Sequence, residues 1–199
     1  MFKMSVTSAA TCVFAVALAA AGSLVIGAQG AAAIEYRILA TSKTSTMEKE
    51  LNDAAAAGFR FVSIMGGETA IGGKEAVTVM SRTASNKGLF EYKLLATNRT
   101  STMQKEMQEA ADAGFHYRDQ TVFESFVGGK EVVCILERDK ANPMAGAYEY
   151  RLFATTKTST MQKELQAGGD QVYEALGMTI GKTAMGGKEL VVITRRKTK

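Results

Sequence analysis

Apolar and polar positions alternate over residues 35–41, with Tyr36, Ile38 and Ala40 on one face and Arg37 and Thr41 on the other, the period of a β-strand. The period then changes. Met47, Leu51, Ala54 and Ala55 recur at i, i+4, i+7 and i+8, a narrow apolar stripe along a helix. Ser45-Thr46-Met47-Glu48 ahead of the stripe has the capping-box pattern, in which Ser45 would take a free amide and Glu48 would reach back to the cap. Gly58 suits the left-handed position just past a helix end. Residues 59–65 and 75–82 return to strand patterns, and Gly72-Gly73 between them supplies the positive φ angles of a tight hairpin. The predicted order is β-α-β-β.

This pattern occurs three times without a gap, over residues 36–82, 92–138 and 150–196. All copies hold Tyr, Ala-Thr, Thr-Ser-Thr-Met, Lys-Glu, Gly-Gly-Lys-Glu, a Val and a closing Arg at identical offsets. Ser101 with Gln104 and Ser159 with Gln162 repeat the capping pattern, and Met103, Met107, Ala110, Ala111 and Gly114 repeat the stripe and its end. In the first copy Gly66-Gly67 interrupts the hairpin arm and suggests a bulge; in the second the arms, 115–127 and 130–138, run unbroken to Gly128-Gly129. The third copy departs most. Gly168-Gly169 replaces two alanines at roughly 1 kcal/mol each, so its helix is expected to end early, and Val172 stands where the others have glycine. A competing reading puts Leu165, Val172 and Leu176 on one face of a longer helix ending at Gly177; the gapless alignment favours a strand there instead.

A unit as short as 36–82 has a marginal core of its own, and neither a disulfide nor a metal is at hand to compensate. The copies are therefore expected to pack together. The predicted fold class is α+β: three tandem β-α-β-β repeats with small antiparallel sheets, each covered by one helix, in one compact assembly. Right-handed crossover rules favour strand three between strands one and two. The uncovered sheet faces, carrying Leu39, Val77 and Val79, are expected to bury against one another as a three-part pseudo-symmetric body or a shared sheet.

Composition narrows the class. At 199 residues and 46% hydrophobic content the chain is ordinary globular material, and a net charge of +4 is too small to argue for nucleic acid. Residues 1–33 read as an export leader: Lys3, then no charge from Met4 to Ile34, then small residues through Ala33. The stretch is long enough to span a bilayer, so an uncleaved anchor is the alternative. Both place the repeats outside the cytoplasm, periplasmic or secreted. Without Cys12, Cys134 is the remaining cysteine, expected as a small buried hydrophobe in Val132-Val133-Cys134-Ile135-Leu136.

The inventory also bounds the chemistry. His116 is the only histidine, so no closed nitrogen and sulfur ligand set for zinc assembles within one chain, and a Ser-His-Asp arrangement would have to route through one strand of one repeat. Met103 and Met107 share a helical face, but it is the core stripe. Glu50 with Asp53 and Glu106 with Glu109 have helix-surface spacing. No cofactor is expected. The constellation with most chemical content is Lys43-Thr44-Ser45, repeated as Arg99-Thr100-Ser101 and Lys157-Thr158-Ser159: a cation and hydroxyls at a helix N-terminus, where free amides and the helix dipole favour an anion. Lys74, Lys130 and Lys188 near the hairpin tips add a basic rim that could meet anionic envelope components.

The Tyr-basic-apolar strand, the helix ending in Gly58-Phe59 and Gly114-Phe115, the apolar strand and the last strand closing on Arg together resemble the bacterial domain-of-unknown-function family numbered four-one-seven-seven. That family typically has Gly-Trp where these copies have Gly-Phe, and the third copy has Val172-Tyr173. The resemblance covers nearly all of residues 36–196 and implies no catalytic residues. The expectation is an exported, non-catalytic binding or structural protein of the bacterial cell envelope. The alternatives are an enzyme using carboxylates or lysines in an inter-repeat groove, and a homo-oligomeric scaffold. If the helix N-termini hold anions, phosphate or polyanions will bind the wild type and not the Lys43→Ala, Arg99→Ala, Lys157→Ala triple variant; equal titrations of the two rule the site out.

Overall fold

In the computed structural model, residues 33–69, 73–83, 88–97, 99–125, 129–182 and 187–198 are described. The predicted leader lies outside them apart from Ala33, as do Gly72 and Gly128 of the hairpin tips. The elements are β1 (Glu35–Thr41), α1 (Thr44–Ala56), β2 (Arg60–Thr69) and β3 (Gly73–Arg82); β4 (Phe90–Thr97), α2 (Thr100–Asp112), β5 (His116–Ser125) and β6 (Gly129–Asp139); and β7 (Tyr148–Thr155), α3 (Thr158–Asp170), β8 (Glu174–Lys182) and β9 (Lys188–Lys197). The β-α-β-β order holds in all three repeats. Each repeat forms its own antiparallel sheet with the last strand in the middle: β1-β3-β2, β4-β6-β5 and β7-β9-β8.

The closing arginine of each repeat is a clamp. Arg82 reaches Glu35 at 2.7 Å, donates to the Ala57 carbonyl at 2.8 Å and lies over the Phe59 ring at 4.7 Å. Arg138 does the same with Glu91, Ala113 and Phe115, and Arg196 pairs with Glu149 and covers Tyr173. In repeats 1 and 2 one side chain thus ties the first strand, the helix C-terminus and the start of the next strand.

The repeats stack in chain order and do not share a sheet. α1 packs on β4 and β2 on β5; α2 packs on β7 and β5 on β8. One core joins Met47, Leu51, Phe61 and Met80 of repeat 1 to Tyr92, Val133 and Ile135 of repeat 2. A second joins Met103, Met107 and Leu136 to Tyr150 and Ile193 of repeat 3. The sheet face that a repeat's own helix leaves open is therefore covered by the helix and second strand of the preceding repeat, not by another sheet's open face as expected. Leu39 also changes sides: it packs against the first core beneath its own helix, while Tyr36 and Ile38 take the open face. The described residues belong to one compact unit.

Three local expectations are corrected. The bulge lies between Phe61 and Ser63, and recurs at Tyr117/Asp119 in the arm read as unbroken and at Ala175/Gly177; Gly66 and Gly67 stay in register with Ala76 and Glu75. Gly66 is small for another reason, since a Cβ there would overlap the Val122 carbonyl oxygen of the next repeat. In repeat 3 the strand reading holds, but α3 does not end early: Gly168 sits inside it because a Cβ would lie 2.8 Å from the Phe153 ring. Finally, the helix caps are Lys43, Arg99 and Lys157, two residues before Ser45, Ser101 and Ser159, and none is capped by its own side chain. The backbone N–H groups of Lys43, Arg99 and Lys157 instead meet the hydroxyls of Thr41, Thr97 and Thr155 at the preceding strand ends.

Past each helix the chain needs a left-handed residue. Gly58 takes φ 93° and Gly114 φ 89°, while Val172 is forced to φ 66°. A β-branched side chain is strained there. Val172→Gly is expected to raise stability by about 1 kcal/mol, read as a higher denaturant midpoint at unchanged slope; an unchanged or lower midpoint contradicts the strain.

Candidate functional site

The structure concentrates its inter-repeat polar chemistry along the free edges of β4 and β7. Tyr92 pairs with Glu137 and Tyr150 with Arg195 in equivalent registers, so their backbone groups point away from the sheet. The preceding helix meets them with side chains one turn apart. Asn52 Oδ1 accepts from Tyr92 N–H and its Nδ2 donates to Tyr92 C=O, both at 2.9 Å, and Glu48 accepts from Leu94 N–H at 2.8 Å. At the second junction Gln108 accepts from Tyr150 N–H at 2.9 Å and donates to Tyr148 C=O at 3.3 Å. Gln104 accepts from Leu152 N–H at 2.7 Å and donates to Tyr150 C=O at 2.6 Å. The amides act as a substitute strand. Glu48 and Gln104, read from the sequence as capping-box partners, are edge staples.

The tyrosine side chains close the other side of each junction. Phe61 stands opposite Met80, whose backbone groups face β1, so its N–H points out from the edge of β2, and it donates to the Tyr92 hydroxyl at 2.8 Å; Tyr117 N–H donates to Tyr150 at 2.9 Å in the same way. Tyr92 in turn donates to Glu137 at 2.8 Å, which also pairs with Arg60 of repeat 1 at 2.8 Å. Burial, then the Glu137 charge, pushes the Tyr92 pKa up, and burial does the same to Tyr150. The arms add Gly66 N–H to Thr121 Oγ1 at 2.7 Å and Gln120 Nε2 to Met178 C=O at 2.6 Å.

Among the described residues each half of this junction also occurs without a neighbouring repeat on it, one at each end of the stack, with the Gln166 amide donating to Asp170 of its own helix at 3.4 Å. β1 carries the same register, Tyr36 opposite Ser81. Tyr92 and Tyr150 are each 2% exposed; Tyr36 is 65%, with Ile34 at 54% and Ile38 at 59%. Among the described residues, no side chain hydrogen-bonds to the outward backbone groups of Tyr36 and Ile38. At the other end α3 presents Gln162 and Gln166, aligned with Gln104 and Gln108, on its exposed surface. In the same repeat Val172, Met178 and Ile180 are exposed.

The anion candidates stay at the first turns of their own helices, with Lys43, Ser45, Arg99, Ser101, Lys157, Thr158 and Ser159 exposed and Thr44 and Thr100 half-buried. Thr100 already donates to a carboxylate, Glu189 of repeat 3, at 2.6 Å. Met103 and Met107 are core residues. Burial pushes the Cys134 thiol up to about 12. His116, packed edge-on to Tyr148 at the second junction, has its pKa lowered by burial and then by Arg195. Asp53 pairs with Lys49 and Glu109 with Lys105 on helix surfaces. Among the described residues no group of His, Cys, Asp and Glu could hold a metal, and no helix is long and apolar enough to cross a membrane. A groove of about 790 Å³ opens beside Val172 and Tyr148. The carboxylates lining it are paired, Glu149 with Arg196 and Tyr173 and Glu174 with Arg195 at 3.5 Å.

Comparison of the chain with protein-family models, curated proteins and solved structures returns no match, so the family resemblance rests on its motifs alone.

Removing the Tyr92 hydroxyl strands the buried Phe61 N–H, so Tyr92→Phe should cost about 1–3 kcal/mol, whereas Tyr36→Phe should stay within about 0.5 kcal/mol. Denaturant unfolding of both variants checks this; equal costs would deny the junction its role in stability.

Proposed function

We propose that this is an exported, non-catalytic structural module that works through the two ends of its repeat stack. The observation that carries the reading is the contrast between Tyr36, 65% exposed, and its counterparts Tyr92 and Tyr150, each 2% exposed. A monomeric stack has no use for an apolar, hydrogen-bonding end surface, and such surfaces on soluble proteins mark interaction sites. Two sets of polar residues that recur in all copies support the same reading, because the fold itself consumes them: the arginines clamp and the threonines at the strand ends hold the helix starts. Export is supported by Lys3 and the uncharged stretch that follows it.

A photo-crosslinking side chain placed at Ile38 or Gln166 in cells should capture macromolecules in clearly higher yield than one at Lys105, an equally solvent-facing helix position. Equal yields at all positions would remove the ends from consideration.

A further inference from the structure

We infer that the partner at these ends is a second copy of this chain, with α3 of one copy laid on β1 of the next. The inference rests on the reading above that the ends are the working surface. Its template is the α2–β7 junction inside the molecule. α3 begins Thr-Ser-Thr-Met-Gln-Lys-Glu-Leu-Gln where α2 begins Thr-Ser-Thr-Met-Gln-Lys-Glu-Met-Gln, and β1 reads Glu-Tyr-Arg-Ile-Leu-Ala-Thr where β7 has Tyr-Glu-Tyr-Arg-Leu-Phe-Ala-Thr. The chain therefore carries both halves of an interface it already builds, in residues nearly the same as those that build it.

Transfer of the α2–β7 register to the ends assigns each contact. Gln162 accepts from Ile38 N–H and donates to Tyr36 C=O, as Gln104 does with Leu152 and Tyr150. Gln166 accepts from Tyr36 N–H and donates to Ile34 C=O, as Gln108 does with Tyr150 and Tyr148. Ala175 N–H, turned out from the edge of β8 by the register that Tyr117 has in β5, donates to the Tyr36 hydroxyl, as Tyr117 does to Tyr150. Apolar surface accompanies the hydrogen bonds on both sides: Ile34, Tyr36 and Ile38 on one end, Met178 and Ile180 on the other. Charge does not oppose the contact. The position of Glu137 at the first junction is Ser81 here, and Glu174, which takes the position of Arg60, is already paired with Arg195. Because the two surfaces differ, the contact is head-to-tail and repeats until it closes a ring or continues as a filament.

The test is light scattering and sedimentation on the purified protein with two blocked variants. Ile38→Lys blocks β1 and leaves α3 free; Gln162→Lys blocks α3 and leaves β1 free, with Gln166→Lys as a second block of the same end. All sit at exposed positions, so their melting midpoints should match the wild type. The wild type should grow in mass with concentration beyond a single chain. Each block alone should weaken association by more than about tenfold. A mixture of the Ile38→Lys and Gln162→Lys proteins should give a species of twice the chain mass and nothing larger. Single-chain mass for the wild type at every concentration overturns self-docking, as does a mixture that fails to pair. If the wild type stays single while Ile38 and Gln166 still crosslink preferentially in cells, the ends serve a different partner and the structural reading survives. If neither happens, both readings fall.

Discussion

A strand at the edge of a sheet presents a row of backbone N–H and C=O groups, and covering that edge with protein removes the water that would otherwise satisfy them. The stack depends on how β4 and β7 meet this constraint. Each orphaned group costs about 1–3 kcal/mol, and the first junction covers Tyr92 N–H, Tyr92 C=O and Leu94 N–H. A helix cannot supply backbone partners, because its own are spent within it. Side-chain amides can, since each carries a donor and an acceptor at about the spacing of a peptide group. Asn52, Gln104 and Gln108 use both ends. Glu48, a carboxylate, can only accept, and takes one N–H.

With the edges satisfied, burial extends to both faces of the inner sheets. β6 runs Val132-Val133-Cys134-Ile135-Leu136 without a polar residue, and every one is buried, odd positions against repeat 1 and even positions against α2. β9 has the same character at Leu190-Val191-Val192-Ile193. β3, whose outer face has no preceding repeat, alternates instead: Ala76, Thr78 and Met80 are buried and Val77 and Val79 only half so. The end of the stack is thus written into the pattern of its central strand.

The β-α-β-β order and the strand order were legible because the chain states the same pattern three times, and the left-handed turn past the helix because Gly58 and Gly114 state it twice. What misled was also local. Ser45 and Glu48 fit a capping box, yet Glu48 reaches a strand some forty residues on, and nothing in the sequence marks a helix-surface glutamine as destined for another repeat's backbone. Gly66 suggested a bulge because close approach to Val122 leaves the same mark as backbone distortion. Gly168 suggested a helix end because the Phe153 ring it accommodates lies on β7, outside the helix that carries the glycine. The junction was hard to read because repeats aligned to each other reveal the unit and conceal its docking: Tyr36, Tyr92 and Tyr150 carry the same letter, although two are buried and one is bare.

Stacked repeats ordinarily finish in capping units whose outer faces are polar, because the surface that binds a neighbour is insoluble without one. Repeat 1 shows no such substitution. Where a cap would place Lys, Glu or Ser, it keeps Ile34, Tyr36 and Ile38, and its edge strand carries no proline and no bulge to deter pairing. Repeat 3 has changed more, at Gly168, Val172 and Gly177, but its two edge-stapling glutamines are intact. Gly168 and Val172 alter packing within the repeat and Gly177 makes room for Tyr117 of repeat 2, while the retained glutamines lie on the helix face that α2 uses between repeats. That division is what an end surface still in use would produce, and a stack selected to stop at three would have no cause to preserve it.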